Sequence, residues 1–174
     1  GFETVLEKHT GADFRPHLPA LFDASHPDHL DVVRTYNGVP RKRLIETYYA
    51  PYSAWCESHQ IALTGHPAGP CDIEVLRYFH IPGQDVVWRY VEPFKPNALE
   101  GEQSTMAKCS ASAQRLFRRK RNLNECFGAY GWEFSYDEMK WITNWLLVRG
   151  VNLLVPHAFY YSIRGERRKE RPPD

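Results

Sequence analysis

The chain has 174 residues, of which 43% are hydrophobic and 25% charged, the ordinary composition of a globular protein with its own core. Its formal net charge of +1 excludes a strong overall positive field of the kind that attracts nucleic acid. No apolar run approaches the roughly 20 residues that a membrane-spanning helix needs. We therefore expect neither a nucleic-acid partner nor a membrane partner.

Aromatic content and cysteine spacing are more informative. Aromatic residues make up 14% of the chain, which suits both a core and a site that stacks flat ligands such as sugar rings. The four cysteines form no close C-x-x-C pair, so we predict free thiols at Cys56, Cys71, Cys109 and Cys126. Free thiols favour a cytoplasmic location, with a secreted or periplasmic location as the alternative.

Short apolar runs alternate with longer amphipathic runs, which predicts alternating strands and helices. The predicted strands are residues 31–36, 61–65, 85–91, 122–127 and 151–156. The predicted helices are residues 2–8, 41–59, 71–79, 104–120 and 136–149. The last helix has the clearest boundaries, because Ser135 and Glu138 form a capping-box pattern at its start and Gly150 can cap its end.

This alternation, with nearly continuous apolar strands, predicts a parallel α/β sheet, either a closed barrel or an open doubly wound sheet. No glycine-rich phosphate motif follows any strand, and polar residues stand at the strand ends, so the barrel is favoured. A complete (β/α)8 barrel has eight strands over about 250 residues. We therefore predict one domain over residues 1–174 that forms about five βα units of a (β/α)8 TIM-type barrel. The rest of the parent polypeptide would then be a partner.

The main catalytic candidate is Glu125, in the stretch NECFGAYGWE. A carboxylate at the end of a strand, beside aromatic residues, can act as an acid, a base or a nucleophile. The alternative is a structural ion pair with a nearby arginine. Glu92 is predicted to end another strand and is comparable in position, whereas Asp85 is expected at the opposite end of that strand, in a structural role.

Two histidines are predicted at strand ends. His66 could bind a substrate hydroxyl, move a proton or bind a metal, or it could simply hold a loop. His157 is followed by Tyr160, Tyr161 and Arg164, which could stack on a ring and bind hydroxyls, or could cover the sheet. No His-x-His pair follows a strand, so a metal-dependent barrel is disfavoured. The basic runs at 118–121 and 167–171 are interpreted as solvated surface.

The stretches IALTGHPAGP, IPGQDVVW and residues 124–173 resemble the catalytic barrel of large bacterial glycoside hydrolases similar to family 106, the α-L-rhamnosidase group. The similarity runs from about Gly11 to Pro173 and is most specific from Glu125 onwards. It implies a (β/α)8 catalytic domain that hydrolyses a glycosidic bond in a plant or bacterial oligo- or polysaccharide. It also implies an inverting mechanism with two carboxylates and a calcium ion that helps bind sugar hydroxyls.

The resemblance also implies residue roles. Glu125 would be the general base that activates water, Glu92 a calcium or sugar ligand, and His66 and His157 would line the sugar pocket. Independently of the resemblance, we expect Trp132, in the turn after Glu125, to pack or stack nearby. The second carboxylate is open: Asp72 or Glu74 could supply it, it could lie outside this chain, or it could have been lost. The alternative function is a non-catalytic carbohydrate-binding or pseudo-enzyme module on the same scaffold.

Overall fold

The computed structural model describes residues 1–67, 72–158 and 164–166. The chain groups into two compact units, Gly1–Trp55 and Cys56–Asp174. Within the described ranges, no helix is both long enough and apolar enough to cross a lipid bilayer.

The first unit is helical. Its helices are α1 (Phe2–Thr10), α2 (Leu18–Phe22) and α3 (His29–Leu44), and a π-helical turn at Ile45–Tyr49 leads from α3 into α4 (Ala50–Ser58). Its small core consists of Leu6, Phe14, Ala20, Val32 and Val39.

The strand predicted at residues 31–36 is wrong, because this segment belongs to α3. Its β-branched residues look like a strand, but Val32 and Val39 are both buried, and Tyr36 packs against the same core. These three positions are spaced by four and three residues, which places them on one face of a helix.

The second unit contains a four-stranded sheet in the order β1 (Thr64–Gly65), β2 (Ile81–Val86), β3 (Leu123–Cys126) and β4 (Leu153–Pro156). All three neighbouring pairs are parallel. The connecting helices are α5 (Ile73–Leu76), α6 (Gln103–Leu116) and α7 (Tyr136–Val148). The predicted alternation of parallel strands and helices is therefore confirmed for this unit.

The predicted (β/α)8 barrel is wrong: the described sheet is open and has four strands. A barrel requires every strand to pair on both sides, whereas β1 pairs only with β2 and β4 only with β3 within the described ranges. One of the five predicted strands is helical, which leaves four. The molecule is a small α/β fold with an open, all-parallel sheet.

Helices α6 and α7 cover one face of this sheet. Val86 and Cys126 on the strands pack with Ala107 of α6 and with Ile142 and Leu146 of α7. Side chains alternate between faces along a strand, so Glu125 points away from this helical layer. The helices thus support the sheet from one side and leave the carboxylate on the other.

The boundaries of β2 differ from the prediction of residues 85–91. The strand begins at Ile81 and ends at Val86, because Trp88 and Arg89 adopt left-handed backbone angles (φ 58° and 52°) that an extended strand does not contain. Glu92 therefore lies in the following loop and does not end the strand.

Two local predictions are confirmed. The side chain of Ser135 accepts a hydrogen bond from the Glu138 N–H, and the Glu138 carboxylate accepts one from the Ser135 N–H, so the capping box at the start of α7 is present. Cys56 and Cys126 are free thiols and Cys109 is not disulfide-bonded, whereas Cys71 lies outside the described residues.

Candidate functional site

Glu125 lies between two imidazoles near the carboxyl ends of the strands. Its Oε2 is 3.3 Å from Nε2 of His66, and its Oε1 is 3.7 Å from Nε2 of His157. The three side chains are 30%, 39% and 30% exposed for Glu125, His66 and His157 respectively, so solvent and ligands can reach them. The structure therefore brings together three of the predicted site residues.

His66 reaches Glu125 across an intervening strand, since β2 separates β1 from β3. Gly83 on β2 allows the backbone of β1 to come close. A Cβ at position 83 would lie 2.9 Å from the carbonyl carbon of Gly65 and closer still to its oxygen. Only a glycine at position 83 permits this approach of the chain just before His66.

His157 approaches Glu125 from the side of β4. It follows β4 directly, and its N–H donates to the carbonyl of Cys126, 2.8 Å away. Gly128 lies against its ring, because a Cβ at position 128 would lie 3.2 Å from both Cγ and Nδ1 of the imidazole. The loop after β3 therefore sets the position of the second histidine.

Asp85 is a second carboxylate beside Glu125, and sequence reasoning placed it at the wrong end of its strand. It is paired with Glu125 in the register of β2 and β3. Residues in register on neighbouring parallel strands point to the same face, with their backbones about 4.8 Å apart. Both side chains are half-buried. A sequence reading that began β2 at Ile81 would have found this pair.

The loops after β2 and β3 contain several strained residues close together. Trp88, Arg89, Phe127 and Ala129 all have positive φ, and the Trp88 N–H donates to the carbonyl of Gly128. Non-glycine residues in this region cost free energy and cluster at functional sites. Trp88 is 63% exposed and Trp132, in the loop after β3, is 58% exposed. Both indoles therefore present much of their surface to solvent.

Asp72 has a local structural role. Its side chain accepts a hydrogen bond from the Val75 N–H and caps the start of α5. Arg164 is exposed in a short described segment, 164–166, whereas Tyr160 and Tyr161 lie outside the described residues.

Glu92 belongs to a separate ionic cluster. Its carboxylate accepts a 2.8 Å hydrogen bond from Lys95 and a 3.3 Å hydrogen bond from Asn97, and Arg89 lies 3.9 Å away. The hydrogen bond from Lys95, followed by the one from Asn97 and the charge of Arg89, lowers the pKa of Glu92.

This surrounding does not fit the calcium ion that the family resemblance implies. Two cationic side chains already neutralise the Glu92 carboxylate, and a calcium ligand set needs several convergent oxygens. Among the described residues, no group of three or more His, Cys, Asp or Glu side chains is arranged to hold a metal ion.

Cys126 is not a nucleophile for this site, although it follows Glu125 directly. It is fully buried on the helical face, and burial raises the pKa of its thiol to about 12. A thiol is reactive only when it ionises. The chemistry available at this edge of the sheet is therefore that of carboxylates and imidazoles.

No protein-family model, curated protein or solved structure matches this chain. The resemblance to glycoside hydrolases stays a prediction.

Proposed function

We propose that this protein is a glycoside hydrolase in which Glu125 is the main acid–base carboxylate. The observation that carries the proposal is the position of this carboxylate between the imidazoles of His66 and His157, near the carboxyl ends of parallel strands. Ligands of open α/β sheets bind at this edge. The sequence resemblance to sugar-cleaving enzymes agrees with this chemistry.

Asp85 is the proposed partner of Glu125, in place of Asp72. Glycoside hydrolysis generally uses two carboxylates, separated by about 5–5.5 Å in retaining enzymes and about 6.5–9.5 Å in inverting ones. In-register residues on neighbouring strands can meet either distance through side-chain rotation. One carboxylate would protonate the leaving oxygen while the other attacks or activates water.

The imidazole of His66 lies within hydrogen-bond distance of the Glu125 carboxylate and can orient it. Both imidazoles can bind sugar hydroxyls, because an imidazole ring offers one N–H donor and one acceptor nitrogen. Trp88 and Trp132 expose indole faces on loops that follow β2 and β3. Aromatic faces with nearby polar groups are typical of sites that bind sugar rings. The substrate class that fits this set is therefore an oligo- or polysaccharide.

The test is hydrolysis of a panel of aryl glycosides, including an aryl α-L-rhamnoside, followed by absorbance of the released phenol. Glu125→Gln and Asp85→Asn should each lower kcat by about 10²–10⁴-fold, the usual contribution of general acid–base catalysis. Glu133→Gln is the matched control, because it removes an exposed carboxylate eight residues further along the chain.

Equal activity of Glu125→Gln and the wild-type protein would overturn the proposal. The anomeric configuration of the first product, read by proton NMR, would distinguish retention from inversion for an active enzyme.

A carbohydrate-binding module without turnover is the second candidate. It is favoured by one observation: two of the predicted acidic site residues are engaged elsewhere, Asp72 in a helix cap and Glu92 in ion pairs. Saturable oligosaccharide binding, measured by tryptophan fluorescence, together with no hydrolysis of any glycoside, would support the module.

A further inference from the structure

At the amino ends of the strands, opposite to the site at Glu125, four consecutive basic residues line a cavity of about 350 Å³. Arg118, Arg119, Lys120 and Arg121 surround it together with His80 and Ile81. Ile81 begins β2, and Arg121 stands two residues before β3, so the cavity lies at the amino ends of these parallel strands. It is distinct from the site at Glu125.

The basic turn has a defined backbone conformation. The carbonyl of Lys120 accepts hydrogen bonds from the side chains of Gln114, at 3.3 Å, and Asn152, at 3.2 Å. Arg118 adopts a left-handed backbone angle, with φ of 53°. The left-handed angle of Arg118 costs free energy, and the two hydrogen bonds to the Lys120 carbonyl help to hold the turn in this conformation.

The charges of this turn are not neutralised by neighbouring acids. Among residues 1–67, 72–158 and 164–166, no carboxylate forms an ion pair with residues 118–121. The guanidinium of Arg119 donates through Nη2 to the Arg77 carbonyl, 3.0 Å away. Its Nε is buried and donates to no atom of the described chain. A buried donor without an acceptor costs free energy.

His80 supplies a further donor. Its Nδ1 accepts a 2.9 Å hydrogen bond from the Leu63 N–H, so in the neutral ring the proton sits on Nε2. The cavity lining therefore contains guanidinium, ammonium and imidazole N–H groups. Planar guanidinium groups match the oxygens of phosphate and sulfate particularly well.

We propose that this cavity, the basic-turn cavity, binds a phosphate or sulfate group of a small ligand. The group would accept hydrogen bonds from the guanidinium groups that line the cavity. A small ligand is favoured over nucleic acid because the basic residues form one short turn in a chain with a net charge of only +1. The proposal is independent of the function at Glu125.

The test is calorimetric titration of the whole protein with inorganic phosphate and, separately, with inorganic sulfate, at constant ionic strength set with sodium chloride. The double variant R118Q/R121Q should weaken binding by about tenfold or more, the effect of losing charge-assisted hydrogen bonds. The control K42Q/K140Q removes two positive charges far from this turn in sequence and should bind like the wild-type protein.

Nitrogen-15 NMR provides the local readout. Addition of phosphate should shift the Nε–H signal of Arg119 and the imidazole signal of His80, and Arg119→Lys should reduce the affinity while keeping the charge. Glu125→Gln should leave the affinity unchanged, so failure here is separable from failure of the hydrolase proposal.

Two outcomes would overturn the proposal. One is an affinity for phosphate and sulfate that R118Q/R121Q does not change. The other is binding of a short single-stranded oligonucleotide that falls steeply with salt and is not competed by phosphate, which would assign the turn to nucleic acid.

Discussion

Gly83 lies against the backbone of Gly65, and this contact between two glycines allows His66 to reach Glu125 across β2. A Cβ on residue 83 would lie 2.9 Å from the carbonyl carbon of Gly65, which is backbone and cannot rotate away. The geometry of the site therefore depends on a residue without a side chain.

Gly83→Ala should displace β1 and separate His66 from Glu125. Overpacking of this kind costs about 1–3 kcal/mol, measured as a lower midpoint of urea unfolding. The same variant should lose activity or ligand binding at Glu125, because the first imidazole has moved.

Gly38→Ala is the matched control for this substitution. Gly38 lies within α3, and a methyl group on it would have no other atom within 4 Å, so alanine should raise the free energy of unfolding by roughly 0.5–1 kcal/mol. If Gly83→Ala were as stable as Gly38→Ala, the backbones of Gly83 and Gly65 could not lie as close together as described.

Asn122 and Asn124 provide a second comparison, since both are fully buried and both point to the helical face. Asn122 Nδ2 donates to Gln114 and to the carbonyl of Gly150, and its Oδ1 accepts from Ser110. Neither side-chain polar atom of Asn124 has a hydrogen-bond partner in the described chain.

Asn122→Ala should therefore cost about 2–4 kcal/mol, because it leaves several buried groups unpaired. Asn124→Ala should change stability by no more than about 1 kcal/mol, because it removes a carboxamide whose burial is uncompensated. Chemical denaturation of the two variants measures the difference. A loss at Asn124 as large as that at Asn122 would show that the Asn124 carboxamide is paired.

The parts of the second unit that could be predicted are those that local sequence determines. The sequence predicts a strand at residues 122–127, and β3 occupies Leu123–Cys126. Helix α7 starts at the predicted capping box. Both are encoded by patterns within a few residues: a short apolar run, and Ser135 with Glu138 at fixed spacing.

The start of β2 could not be predicted from local pattern, because Pro82 and Gly83 together are typical of a turn. They lie inside the strand because Gly83 accommodates the backbone of Gly65 in β1, which is 18 residues away in the sequence. The shifted strand is also the reason why Asp85 was missed as a neighbour of Glu125 and Glu92 was favoured in its place. Tertiary contacts thus decided which carboxylates meet.

Because of Glu138, the free energy of unfolding should decrease as the pH falls into the acid range. Its carboxylate accepts hydrogen bonds from the Ser135 N–H at 3.0 Å and from Arg89 at 3.1 Å, and these contacts lower its pKa below the ordinary value of 4.5, the Ser135 backbone bond most strongly. A carboxyl with a lowered folded-state pKa contributes its full stabilisation above the unfolded pKa. That contribution is lost as the pH falls through the folded-state value.

Glu138→Gln should therefore be less stable than the wild-type protein at pH 7, and the difference should shrink as the pH falls below about 4.5. Urea unfolding at a series of pH values gives both curves. Glu133→Gln, at an exposed position in the same segment, serves as the control. A difference between wild type and Glu138→Gln that does not change with pH would mean that charge is not involved.

Gly128 sets the position of His157 as Gly83 sets that of His66. A methyl group at residue 128 would lie 3.2 Å from Cγ and Nδ1 of the His157 ring and 3.0 Å from Cγ1 of Val87. These distances are tighter than ordinary packing, so the imidazole must shift by a few tenths of an ångström or more. Because the ring of His157 is 30% exposed, it can move outward into solvent without disturbing the core.

Gly128→Ala should therefore leave the midpoint of urea unfolding nearly unchanged but lower kcat/KM for an aryl glycoside by about tenfold to a hundredfold, the usual effect of small misplacements in a catalytic site. The matched variant His157→Asn removes the imidazole itself, and the two losses should be similar and not additive, since both act on one group. Additive losses in the double variant would show that Gly128 acts through the strained loop and not through His157.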